Sequence, residues 1–115
     1  MSTLLMAQEA TIVKSFPLES WEYHVSIPGE VEVMRWDSEF IRIEVTCEVN
    51  ESLSHLLEKL IQAGRYRMEI VNGEIQMPNL GKEIWIKGER LSENLRIKIS
   101  APDGISVYVI DEISL

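Results

Sequence analysis

A chain of 115 residues with a formal net charge of −8 and one cysteine is long enough for one domain with a real core. The negative charge excludes a phosphate-backbone partner, because nucleic-acid affinity is built mainly on cation–phosphate contacts. The single cysteine excludes an intramolecular disulfide and leaves packing to hold the fold, without deciding the compartment. Hydrophobic residues at 45% and charged residues at 26% argue for a folded globular chain rather than a disordered one.

Met1 to Gln8, MSTLLMAQ, carries a short apolar core that ends in a small residue. It matches the tail of a secretory signal peptide without its basic front end, and equally a frayed terminus, so residues 1–10 are expected to be flexible. Residues 11–110 are expected to form a single β-rich domain, and 111–115, DEISL, a C-terminal tail. No run approaches the roughly 18–20 apolar residues of a membrane span, so integration into a membrane is not expected.

TIVKSF (11–16) is a short strand candidate ending at Pro17. SWEYHVSI follows, with Trp21, Tyr23, Val25 and Ile27 on the apolar face and Glu22, His24 and Ser26 on the other, a period of two that predicts a half-buried strand. Pro28-Gly29 turns the chain into EVEVMRW, and Trp36 to Glu39 turns it again into FIRIEVTCEV. There Ile41, Ile43, Val45, Cys47 and Val49 alternate with Arg42, Glu44, Thr46 and Glu48. These three strands, joined by short turns, are expected to form an antiparallel meander.

Asn50 to Tyr66, NESLSHLLEKLIQAGRY, is the chain's helix. Leu53, Leu56, Leu57, Leu60 and Ile61 make one apolar stripe, Asn50 or Ser52 is placed to cap the start, and Gly64 to end it. The helix is expected over about 52–63, with its leucines on the Ile41/Ile43/Val45 face. RYRMEIV and EIQM flank Asn72-Gly73, the strongest hairpin signal in the chain. EIWIKG, LRIKIS and ISVYVI supply the remaining strands. The fold class is thus mainly β, or β-dominated α+β: a two-layer antiparallel β-sandwich or a short β-solenoid-like domain, with one amphipathic helix packed on the sheet.

No motif for catalysis, cofactor or metal binding stands out. His24 and His55 have no ligand spacing, and Cys47 shares the inward parity of its strand as an inert buried thiol. Glu30/Glu32 and Glu44/Glu48 could form a carboxylate pair of hydrolase type, but their strand faces suit cross-strand surface pairing better. Trp21 and Tyr23 are expected in the core. Trp36 and Trp85 share faces with charged residues and are the candidate binding aromatics, since an exposed tryptophan can stack on a sugar or anchor a protein.

The succession GEVEVMRWDSEFIRIEVTCEV, a leucine helix, AGRYRMEI and ENLRIKISAPDGISVYV resembles the N-terminal part of bacterial adhesin-type domains of unknown function, exported β-rich proteins familiar from Bacteroidetes-type genomes. Gly29, Val31, Val33, Trp36, Asp37, Ile41, Ile43 and Val45 carry the first part of the resemblance, and Pro102, Gly104 and Val107 the last. It spans roughly residues 12–110 and rests on hydrophobic and turn positions. Longer members continue into a Gly/Ser/Asn-rich β-solenoid that this chain does not reach. The resemblance implies export and brings no catalytic residues. The expected function is that of a non-enzymatic, extracytoplasmic adhesin-like module, periplasmic or at the cell surface, with a protein or glycan partner at the cell envelope and weak self-association through a sheet edge. The alternatives are carbohydrate or small-ligand binding by exposed aromatics, a carboxylate-dependent hydrolase, and a cytoplasmic location.

Overall fold

The computed structural model describes the backbone of residues 2–5 and all of residues 8–110; the expected tail at 111–115 lies outside them. In chain order the elements are β1 (Ser2–Leu5), β2 (Glu9–Pro17), β3 (Glu22–Ser26), β4 (Glu30–Arg35) and β5 (Phe40–Val49). A 3-10 stretch (Glu51–Leu56) then runs directly into α1 (Leu57–Gln62). The hairpin strands β6 (Glu69–Val71) and β7 (Glu74–Gln76) follow, then β8 (Trp85–Ile86), β9 (Glu89–Arg90), β10 (Glu93–Ala101) and β11 (Ser106–Val109). The fold is mainly β, a β-dominated α+β domain.

Two sheets make the layers. One has the order β1-β2-β5-β10-β4 and the other β11-β3-β7-β6, with β8 and β9 forming a separate hairpin. Alternation along the long strands explains the core. Ile41, Ile43, Val45, Cys47 and Val49 of β5 face inward beside Leu95, Ile97, Ile99 and Ala101 of β10, and all are buried. From the second sheet Tyr23, Val25, Ile27, Ile75 and Met77 close over them. At roughly 1.5–3 kcal/mol for each large aliphatic fully buried, this double row dominates the stability of the fold.

Polar residues at the alternate positions of β5 and β10 face solvent and pair across strands. Thr11 and Thr46 hydroxyls lie 3.1 Å apart, and the Arg96 guanidinium sits 3.1 Å from Glu9.

Several expectations are corrected. Residues 20–49 do not form a meander: β3 belongs to the second sheet, and β10 stands between β4 and β5. The sheets are mixed rather than antiparallel, since β4 pairs parallel with β10, and β3 pairs parallel with both β11 and β7. Pro28-Gly29 therefore carries the chain from one layer to the other. Gly29 makes the crossing possible: its φ is +139°, and a Cβ there would stand 2.5 Å from the Leu95 carbonyl oxygen. The expected flexible stretch 1–10 contains paired backbone, with Ser2–Leu5 antiparallel to β2 and Glu9 already in register with Glu48.

The helical segment keeps its apolar stripe but divides in two. Leu53 and Leu57 are buried, and Leu56, Leu60 and Ile61 pack against the core at its margin. Asn50 holds the N-cap position of the helical segment, but its side chain makes no capping bond there. Asn50 instead donates its amide to the Glu89 carboxylate (3.0 Å) and accepts the Ser92 N–H (3.1 Å), tying the start of the helical segment to the β8–β9 hairpin and its exit. The C-terminus ends as expected at Gly64 (φ +84°). The Gly64 N–H donates to the Ile61 carbonyl and the Arg65 N–H to that of Leu60, the two bonds of a Schellman motif. Asn72 (φ 51°) and Gly73 (φ 77°) form the predicted type I′ turn, and Lys87 and Gly88 (φ 51° and 83°) repeat it in the β8–β9 hairpin, which EIWIKG did not signal.

Candidate functional site

Two regions concentrate features beyond packing: a buried polar cluster at the exit of α1, and the exposed edge of the second sheet at β11.

The cluster is built on Arg65, which the Schellman turn aims back into the domain. Its side chain is only 8% exposed and grips Glu93, at the start of β10, through two bonds: Nε to Oε2 at 3.0 Å and Nη2 to Oε1 at 2.7 Å. The remaining donors reach the carbonyls of Lys82 (2.8 Å) and Leu80 (3.2 Å). One fork thus ties helix exit, loop and β10 together, and the charge-assisted bonds to Glu93 hold the guanidinium proton more firmly than usual. Behind it lie Tyr66 and Cys47. Burial pushes the Cys47 thiol up to about 11 and raises the Tyr66 hydroxyl as well, with the Glu93 carboxylate adding to the latter. The Tyr66 hydroxyl is buried without a hydrogen-bond partner among the described residues. A protonated, inaccessible thiol is a poor nucleophile, so this cluster is chemically quiet. In front of it opens a cleft of about 530 Å³, lined among others by Arg65, Lys82, Glu83, Arg90, Glu93 and Asn94.

The β11 edge is the opposite kind of place. Among the described residues β11 pairs with β3 on one side and has no neighbouring strand on the other. Tyr108, Val109 and Ile110 are 49%, 47% and 42% exposed. Tyr108 stacks on His24, ring centroids 5.2 Å apart and 23° between planes, and the His24 Nε2 lies 3.8 Å from a Glu22 oxygen. Where the chain enters β11, the Ser106 N–H donates to the Trp21 carbonyl (2.8 Å). Trp21 itself is 78% exposed and lines a cleft of about 370 Å³ with Leu18, Glu19, Ser20 and Ile105.

Trp21 therefore leaves the core in which it was expected. The inward parity of β3 begins at Tyr23, whose hydroxyl accepts the N–H groups of Glu19 and Ser20 and so closes the turn before the strand. Trp21 sits in that turn, outside the strand, where period two has no force. The two aromatics singled out in the sequence are not brought together in a cleft. Trp85 is 58% exposed on the β8–β9 hairpin, and Trp36 is half-buried at the end of β4 with its indole N–H on the Phe40 carbonyl (2.9 Å). Neither lines any of the clefts described here.

Glu30, Glu32 and Glu44 do share one groove on the outer face of the first sheet, but Arg96 and Lys98 line it with them. Arg96 stands opposite Glu30 in the β4–β10 register, and Lys98 opposite both Glu32 and Glu44. That is the cross-strand pairing expected of a solvated sheet face. Among the described residues no three His, Cys, Asp or Glu side chains converge as metal ligands, and no helix is long and apolar enough to cross a membrane.

No family model, curated protein or solved structure matches this chain.

Proposed function

We propose that the protein is a non-enzymatic binding module, adhesin-like and extracytoplasmic, that holds a macromolecular partner at the cell envelope. The observation that carries this reading is the placement of its aromatics. Trp21, Trp85 and Tyr108 stand 78%, 58% and 49% exposed on a turn, a hairpin and a sheet edge, while Tyr23 and Tyr66 are buried with the aliphatics of the core. Large apolar side chains held in water favour contact surfaces, and tryptophan and tyrosine are the residues that most often anchor them. The extracytoplasmic location rests on the resemblance to exported adhesin-type domains.

A second reading is glycan or small-ligand binding. It is favoured by Trp85, which projects from a hairpin whose strand β9 and flanking Glu83 border the polar cleft before Arg65. Stacking of a sugar ring on an exposed indole face would be its physical basis.

The test has two arms. Fractionation of producing cells, with protease added outside intact cells, is expected to place the protein outside the cytoplasm; recovery with cytoplasmic markers would remove the location. Beads coated with purified protein are expected to adhere to cell-envelope preparations, and beads coated with the Trp21→Ala/Tyr108→Ala variant to adhere weakly. Equal adherence of uncoated beads would overturn the binding reading, and loss of adherence on adding free glycans would favour the second.

A further inference from the structure

Of the features outside the core, the β11 edge is the one whose chemistry specifies an occupant. Resting on the binding-module reading, we infer that β11 is a strand-addition site that takes an extended, basic segment of a partner protein, with an apolar side chain of that segment seated beside Trp21.

Backbone geometry supplies the first argument. Ser106 and Ile110, in phase with Tyr108, donate their N–H groups toward β3, to the carbonyls of Trp21 (2.8 Å) and Val25 (2.9 Å). The alternation of a ladder then turns the N–H and C=O groups of Val107 and Val109 to the open side, a ready row of main-chain partners. Natural edges are usually blunted by proline, bulges or charged side chains. The stretch ISVYVI (105–110) contains none of these charges and no proline.

Electrostatics chooses the occupant. From Ile99 to Ile110 the chain has no lysine or arginine, and the exposed Asp103 precedes the edge. Glu19 and Glu22 add exposed carboxylates at the Trp21 end. Arg35 of the first sheet donates to the carbonyls of Pro102 (3.0 Å) and Ile105 (2.6 Å) and leaves one positive charge at the start of the edge, against the three carboxylates of Glu19, Glu22 and Asp103. A second copy of this acidic chain would bring like charges to the edge, whereas a partner strand bearing lysine or arginine is attracted there. The cleft formed by Leu18, Trp21 and Ile105 at the start of β11 gives such a strand a place for one apolar side chain. Main-chain bonds would provide affinity, and the cleft and the carboxylates specificity.

The probe is a short blocked peptide of alternating lysine and valine, compared with its glutamate–valine counterpart, with binding followed by amide hydrogen exchange and calorimetry. The lysine peptide is expected to slow exchange at Val107 and Val109, and the glutamate peptide to do nothing. Val109→Pro deletes a donor that faces away from β3, so it leaves the fold intact. It is expected to weaken lysine-peptide binding by roughly tenfold, the scale of one lost hydrogen bond. Trp21→Ala should weaken it several-fold. Equal protection by both peptides, or unchanged affinity in Val109→Pro at unchanged thermal stability, would overturn the inference. Concentration-dependent dimers of the free protein abolished by Val109→Pro would give the edge to a second copy instead. Beads coated with Val109→Pro separate this inference from the broader reading. Adherence to envelope preparations that survives Val109→Pro but fails in Trp85→Ala sinks the edge and keeps the binding module.

Discussion

The Arg65 cluster and the β11 edge invert the usual distribution of polar and apolar groups. At the helix exit a guanidinium and a carboxylate are taken out of water, and at the edge a tyrosine, a valine and an isoleucine are left in it. The buried pair is tolerated because four N–H···O contacts fix it between α1, a loop and β10. Such a pair adds less net stability than its geometry suggests, but it specifies one arrangement of the elements it joins. Among the described residues nothing comparable satisfies the edge. Its free amides meet water, which a partner strand can replace at little cost. One region spends its polar groups on the fold, and the other keeps its apolar groups for contact.

Substitutions separate the two in order of effect. Glu93→Ala leaves a buried guanidinium uncompensated and is expected to lower stability by about 3–5 kcal/mol in denaturant titrations. A loss under 1 kcal/mol would place the pair in water and erase the contrast. Leu57→Ala, in α1, should cost about 2–5 kcal/mol, because its side chain is 1% exposed in the core. Unchanged thermal stability would make α1 peripheral.

The Cys47 thiol provides a pH test. Its folded value of about 11 lies above the ordinary 9.0, so the unfolded chain releases the proton first as pH rises. The stability it contributes is complete below pH 9 and lost between about 9 and 11, at most about 2–3 kcal/mol. Tyr66, shifted in the same direction, extends the loss to higher pH. Cys47→Ala should flatten stability across that window, and an unaltered slope would show the thiol to be accessible. Tyr66→Phe removes a buried hydroxyl that has no partner among the described residues, so it is expected to be neutral or to stabilise by about 1 kcal/mol. Trp21→Ala, at the edge, should change stability by less than about 0.5 kcal/mol while impairing contact. A larger loss would return Trp21 to a structural role.

Much of the candidate site was legible in residue types, and little of it in residue positions. Exposure of Trp85 followed from its charged neighbours, but the same reasoning put Trp21 in the core. Parity constrains a side chain only while the backbone is a strand, and Trp21 precedes one. Arg65 carried no signal at all: an arginine after a helix-ending glycine reads as a surface residue until the fold brings Glu93 to it from 28 positions away.

The inward rows of β5 and β10, the apolar stripe of the helical segment, its Gly64 end and the Asn72-Gly73 turn were all determined by local sequence. Each depends on periodicity or on a single backbone conformation, both of which act over a few residues. Layer assignment, the parallel pairings of β3 and β4, the removal of Asn50 from capping to a bond with the distant Glu89, and the open side of β11 were decided only by the tertiary structure. Those depend on which strands meet across long separations, where burial of the whole apolar set outweighs the preference of any one segment.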